Sequence, residues 1–211
     1  MRYNYIAIEG NIGAGKTTLA TKIAQKYDGK LILERFEDNP FLAKFYDNQE
    51  KYAFPLELSF LAERYQQLKR ELANQELFTN FTISDYFLNK SLIFARKTLN
   101  DDEYQLFITL FNIMNANLPK PDLLVHLFVS TNRLQSNIKM RGRDYEQRIP
   151  DEYLEKIQES YFDYLKQQPQ LRILLLDVNA LDFVAHPSDF DKIVDAMNVQ
   201  YPKGMNRIKL S

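Results

Sequence analysis

The sequence predicts an α/β fold, a five-stranded parallel sheet flanked by helices, and two patterns carry that prediction. Apolar runs of strand length recur at Tyr3–Ile8, Leu31–Leu33, Phe81–Ser84, Leu123–Val129 and Ile173–Leu176. Helix-periodic stretches separate them, at roughly 16–27, 52–76, 88–99, 101–116, 130–141 and 151–168. Short, almost wholly apolar strands alternating with helices indicate a sheet covered on both faces, in which each parallel crossover requires a helix. Prolines mark the joints, at Pro40, Pro119, Pro121, Pro150, Pro169 and Pro187. No repeat or Gly/Ser-rich linker interrupts the 211 residues, so the chain reads as one domain spanning 1–211.

Charge narrows the partners. With 27 basic against 28 acidic residues, no overall field favours nucleic acid or a membrane surface. The absence of cysteine excludes disulfides and thiolate metal sites and fits a reducing compartment. Only His126 and His186 are present, which excludes histidine-rich metal clusters, and His126 lies in an apolar run as a packed histidine would. No stretch approaches the ~20 apolar residues of a membrane span. Met1–Ile6 enters a strand at once, without a signal peptide's apolar region. The expectation is a cytoplasmic protein.

In open parallel sheets, ligands gather at the carboxyl ends of the strands. After the first strand stands Gly10-Asn11-Ile12-Gly13-Ala14-Gly15-Lys16-Thr17, a complete G-x-x-x-x-G-K-T pattern followed by Thr18. Glycines let successive backbone N–H groups point inward at a helix N-terminus and cradle phosphate. Lys16 is placed to reach β and γ phosphates, and the Thr17 hydroxyl to ligate Mg²⁺. A GTPase switch also needs D-x-x-G and N-K-x-D segments. After Gly29 only Gly142 and Gly204 remain, and Asn89-Lys90-Ser91-Leu92 lacks the final aspartate. A small-molecule kinase is the class left standing.

Three further features sit against the local pattern. On helix 56–72, Leu56, Phe60, Leu61, Tyr65, Leu68 and Leu72 form an apolar stripe, and Glu57 and Arg64 fall inside it. Buried charge is costly unless paired or serving a ligand, so the two form a structural pair or line a substrate pocket. Arg141-Gly142-Arg143 between two helices suits a flap that closes on phosphates, a lid over about 137–149. Glu34 and Asp85 end the second and third strands. One such carboxylate can take a proton from an attacking hydroxyl while another holds Mg²⁺, directly or through water.

Together these residues resemble the deoxynucleoside kinases, a P-loop kinase fold whose members transfer the γ-phosphate of ATP to a deoxynucleoside 5′-hydroxyl. The resemblance runs from Ile6 to about Leu165. It rests on Gly10–Thr17, Glu34 with Asn39-Pro40-Phe41-Leu42, Glu57 with Arg64, Ser91–Ala95, and Arg141-Gly142-Arg143 with Glu146-Gln147 and Tyr153-Leu154-Glu155-Lys156. It implies Glu34 as general base, Arg64 near the nucleobase and the catalytic carboxylate, and Tyr46 with Glu146 on the sugar 3′-hydroxyl. It also implies Arg141 and Arg143 over the ATP phosphates, a loop beside the donor base within Asp177–Asp189, and a homodimer.

The chain departs from that family pattern in three places. Glu57 replaces a glutamine; an ionised carboxylate only accepts, which matches the parallel N1–H and N2–H₂ donors of guanine and tilts the expectation towards deoxyguanosine over deoxyadenosine. Ser84-Asp85-Tyr86 lacks the arginine that follows the acidic residue in the family, with Lys90 one turn further on. Asn137 stands where many relatives carry a lid arginine. The rival readings are a nucleoside monophosphate kinase of thymidylate type, which needs an arginine beside its acceptor phosphate, and a non-catalytic ATP sensor, which has no use for a base.

Overall fold

The computed structural model describes residues 1–35, 39–74 and 79–211, and for Tyr46 and Tyr145 the backbone alone. In chain order the elements begin β1 (Tyr5–Gly10), α1 (Lys16–Tyr27), β2 (Lys30–Ile32), α2 (Leu42–Asp47), α3 (Gln49–Ala73) and β3 (Thr82–Ser84). They continue α4 (Lys90–Thr98), α5 (Asp101–Asn115), β4 (Leu123–Phe128), α6 (Thr131–Arg141) and a 3₁₀ turn at Asp144–Glu146. The last are α7 (Asp151–Lys166), β5 (Arg172–Asp177), α8 (Pro187–Met197) and β6 (Gly204–Lys209). The chain divides into two compact units.

The first unit comprises Met1–Leu33, Glu76–Tyr86 and Lys120–Ser211, and carries the whole sheet. Its strand order is β2-β3-β1-β4-β5-β6, all parallel. Every residue of β1 is buried, because β3 and β4 flank it. Ile6, Ile8, Leu19, Ile23, Ile83, Val125, Leu127, Leu174 and Leu176 belong to one core cluster. Helix α7 buries Leu154, Ile157, Tyr161 and Leu165, at the three- and four-residue spacing of one helical face. His126 is a packed histidine, 1% exposed, with its ring 4.9 Å from that of Tyr161. Burial, aided by the charge of Lys16, pushes its imidazole down to about 3, so it stays neutral.

The sheet has six strands rather than the five expected. Lys203, Arg207 and Lys209 read as a solvated basic tail, yet 204–209 pair in register with β5. Met205, Arg207 and Lys209 are exposed and alternate with half-buried Asn206 and Ile208, a two-residue period with too few apolar positions to register as a strand. Helix α8 has no counterpart among the expected helices; Pro187 opens it and Phe190, Ile193, Val194 and Met197 are buried along it.

The second unit comprises Glu34–Gln75 and Phe87–Pro119 and is helical among its described residues. The helix expected over 52–76 starts earlier, where the Asn48 side chain caps it by accepting from the Lys51 amide, and ends at Ala73. Residues 75 and 76 lie outside the described set. A capping box between Asn100 and Glu103 starts α5. Leu56, Leu61, Leu68, Ile93, Phe107 and Phe111 are buried, and α3 contacts α2, α4 and α5. No described helix is long and apolar enough to cross a membrane.

Candidate active site

The phosphate loop forms where the sequence placed it. Gly13 has φ +79°, and a Cβ there would come within 2.8 Å of the Leu134 carbonyl oxygen. Gly15, at φ +85°, ends the loop, and α1 begins at the next residue without a side-chain cap. An uncapped N-terminus is the geometry that lets first-turn N–H groups serve an anion. Lys16 folds over the loop, its Nζ donating to the carbonyls of Gly10 at 3.0 Å and Asn11 at 2.9 Å. Ile12 and Ala14 donate backbone N–H groups to Asn11, the first to its side chain and the second to its carbonyl. Thr17 and Thr18 are exposed on the first turn of α1.

Two asparagines, Asn11 within the loop and Asn137 outside it, tie the loop to its surroundings. Buried Asn11 donates its amide to the Leu154 carbonyl at 2.7 Å, and Asn137 on α6 donates to the Gly13 carbonyl at 2.8 Å. Asn137 is thus tied to the loop itself, a link with no periodic or motif signal in the sequence.

Asp85 is 4% exposed just past β3, and its amide donates to the Ile32 carbonyl. Its carboxylate accepts the Thr17 hydroxyl at 2.5 Å. These two oxygen donors fit Mg²⁺, which prefers one or two protein oxygens and completes its octahedron with phosphates and water. No cluster of three or more His, Cys, Asp or Glu occurs among the described residues, so a dedicated all-protein metal cage is not present there.

Within the second unit, Glu34 sits at the centre of an ion-pair cluster. Arg64 donates to its Oε1 from Nε at 2.8 Å and lies at 2.6 Å through Nη2, while Lys90 reaches Oε2 at 2.6 Å. Arg64 also donates to the Ser91 hydroxyl at 2.8 Å and lies over the Phe60 ring. Burial alone would raise the Glu34 carboxyl. The charges of Lys90 and Arg64 and the hydrogen bonds they donate outweigh it, and hold the group well below the usual carboxylate range. The lysine noted only as a substitute for a missing arginine is therefore a direct partner of Glu34.

Glu57 and Arg64 are both buried, but no hydrogen bond joins them. Glu57 accepts instead from Thr98 Oγ1 at 3.0 Å. Burial pushes its carboxyl up to about 7, against the opposing pull of Arg64, the Thr98 hydrogen bond and Lys90. The Asn39 side chain ties its segment to α3 by donating to Ser59 Oγ at 3.0 Å. Tyr46 falls in α2, but its side chain lies outside the described residues.

The Arg-Gly-Arg segment is folded back on itself. Gly142 ends α6, and the 3₁₀ turn brings buried Glu146 to both arginines. Arg141 donates to Glu146 Oε2, with its Nε at 3.0 Å, and Arg143 lies 3.5 Å from Oε1. Gln147 donates to the Ile138 carbonyl and closes the turn. Arg133, one face of α6 earlier, donates to the carbonyls of Val178, Asn179 and Leu181, which fixes the loop after β5.

Comparisons with known proteins identify the family. A family model described as deoxynucleoside kinase matches residues 6–200. A deoxyguanosine kinase of Bacillus subtilis (strain 168) is 39% identical over 193 residues, covering 90% of this chain and 93% of its own. A deoxyadenosine kinase of Dictyostelium discoideum is 30% identical over 211 residues, covering 97% and 82%. The solved structure of a deoxyadenosine kinase from M. mycoides with bound dATP superposes with a TM-score of 0.79 at 28% identity, over 92% of this chain and all of that one. The chain belongs to the deoxynucleoside kinase family.

Proposed function

We propose that this chain transfers the γ-phosphate of ATP to the 5′-hydroxyl of a purine deoxynucleoside, giving the 5′-monophosphate for nucleotide salvage. The observation that carries the reading is Glu34, an ionised carboxylate fixed between Arg64 and Lys90 in a chain with a complete phosphate loop. Donor handling falls to the loop: the N–H groups of 10–18 and Lys16 bind the phosphates, and Thr17 with Asp85, directly or through water, holds Mg²⁺. The ion, when bound, neutralises charge on the β and γ phosphates. Arg141 and Arg143 turn from Glu146 to the phosphates as the lid closes.

Acceptor handling falls to the helical unit. Glu34 orients the 5′-hydroxyl, whose oxygen forms the new bond to the γ-phosphorus as the bond to the bridging oxygen of ADP breaks. The hydroxyl proton passes to the carboxylate. Because two cations make Glu34 a weak base, this transfer comes late, as a loose phosphoryl transition state allows. Arg64 and Glu57 face the nucleobase, and Tyr46 and Glu146 meet the sugar 3′-hydroxyl. Guanine is favoured by Glu57 in its ionised form, and the names of the B. subtilis and D. discoideum relatives support a purine acceptor. We read the whole chain as one cytoplasmic catalytic domain that works as a homodimer; exposed Leu106 and Ile113 on α5 support an interface.

Glu34→Ala tests the central assignment. Turnover is expected to fall by about a thousandfold, the scale of losing a positioned acid–base group, while ATP binding survives. Unchanged turnover removes Glu34 as base. A panel of four deoxynucleosides and dTMP with Mg-ATP separates this reading from a monophosphate kinase, and the absence of any turnover points to a sensor.

A further inference from the structure

The motif residues leave out a hydroxyl that touches Glu57. Thr98 is the last residue of α4, and its Oγ1 lies 3.0 Å from Glu57 Oε1 and 3.2 Å from the Phe94 carbonyl oxygen. A hydroxyl carries one proton, so it donates to only one of these acceptors at a time. Given to Glu57, that proton favours the carboxylate over the carboxylic acid. Turned to Phe94, it leaves the side chain of Glu57 without a hydrogen-bond donor among the described residues.

We propose that Thr98 is a specificity-determining residue: its proton, donated to Glu57 Oε1, holds that carboxyl in the accept-only form that selects guanine over adenine. The proposal rests on the reading of Glu57 as the group that faces the nucleobase. The two forms of the side chain differ in what they can recognise. A carboxylate offers acceptors alone, matching the adjacent N1–H and N2–H₂ of guanine. A neutral carboxyl offers one donor and one acceptor, as an amide does, and that pattern matches the amino group and ring nitrogen of adenine.

The surroundings leave the two forms nearly balanced. Charge reaches Glu57 from Arg64 on its own helix and from Lys90 on α4, and both of these cations are also held by Glu34. From α2 and α5, which also contact α3, no charged group bears on it among the described residues. Burial opposes the two cations and brings the carboxyl to about 7. Near that balance a single donated hydrogen bond decides which form prevails at neutral pH.

The test measures kcat/KM for deoxyguanosine and deoxyadenosine with Mg-ATP between pH 5.5 and 8.5, a quantity that reports groups of the free enzyme. The wild-type ratio of deoxyguanosine to deoxyadenosine is expected to fall by up to about a hundredfold from pH 8 to pH 6, following the ratio of ionised to neutral carboxyl for a group near 7. Thr98→Val is expected to lower the ratio at pH 7 by about ten- to a hundredfold, the worth of one hydrogen bond to a charged group, and to move the profile to higher pH. Thr98→Ser is expected to restore both, and the KM for ATP to stay constant throughout. A T98V change that scales both acceptors equally at every pH overturns the proposal, as does a flat wild-type profile, which decides the matter if T98V does not fold. Glu57→Gln separates the failures. An unchanged ratio there defeats the reading of Glu57 itself, whereas a changed ratio with an inert T98V defeats only the role of Thr98.

Discussion

The two units build polar sites in opposite ways. In the sheet unit the phosphate loop is made of backbone: Lys16 donates to main-chain carbonyls, and Asn11 and Asn137 hold the loop through carbonyls of Leu154 and Gly13. In the helical unit the site is made of side chains, with Glu34, Arg64, Lys90 and Ser91 bonded to one another and Glu57 bonded to Thr98. A backbone site demands particular residues only where a side chain would obstruct it or where one must reach in. A side-chain site depends on every member, since removing one partner strands a buried charge. In the proposed reading, the first would serve a donor that does not change and the second an acceptor whose identity is to be tuned.

Substitutions that affect one unit and spare the other test the contrast. The largest stability effect is expected at Glu57. Its folded-state value lies above its usual 4.5, so folding favours the protonated form, and stability is lost as pH rises from about 4.5 through about 7. Glu57→Gln removes that loss. By pH 8 it is expected to stabilise the protein by on the order of 3 kcal/mol, with no gain near pH 4.5, as urea unfolding at both pH values will read. A gain of equal size at both pH values breaks the assignment of the effect to ionisation.

Next comes Gly13→Ala in the loop. The added methyl meets the Leu134 carbonyl at a positive φ, a strain worth about 1–3 kcal/mol. The KM for ATP is expected to rise while the ratio of deoxyguanosine to deoxyadenosine turnover stays fixed; a changed ratio erases the division between the two kinds of site. Smallest is Asn137→Ala, which removes one hydrogen bond to the loop at a cost of about 1 kcal/mol. ATP affinity measured by calorimetry is expected to weaken by up to about fivefold, again with acceptor preference unmoved.

This same contrast explains what could be read from the sequence. The loop is contiguous, so its glycines, Lys16 and Thr17 stand out as a pattern, and Asp85 was legible as a polar residue at a strand end. Glu57 and Arg64 were legible because they interrupt an apolar stripe. Their partners leave no mark in periodicity: Arg64 bonds Glu34, a neighbour that only the family resemblance implied, rather than Glu57, and Thr98, 41 residues after Glu57, disturbs no pattern. Asn137 could be noticed as a departure, but a side chain that bonds a distant carbonyl leaves no trace in spacing. The sixth strand escaped because its exposed positions are Met205, Arg207 and Lys209, and two charges in alternation look like a solvated tail. An edge strand tolerates such charges, which discourage another strand from adding to it.

If Arg141 and Arg143 serve the lid proposed above, Glu146 has a consequence for how they would meet a nucleotide. Its buried carboxylate already holds Arg141 and Arg143, so the resting lid is not a pair of fully hydrated cations waiting for an anion. Closing on phosphate is then an exchange of one anion for another, in which part of the dehydration of the guanidinium groups has taken place beforehand. Such an exchange keeps the count of opposite-charge contacts nearly constant. In the proposed reaction it would make the lid a reversible clasp with a built-in competitor, ready to take the arginines back when ADP departs.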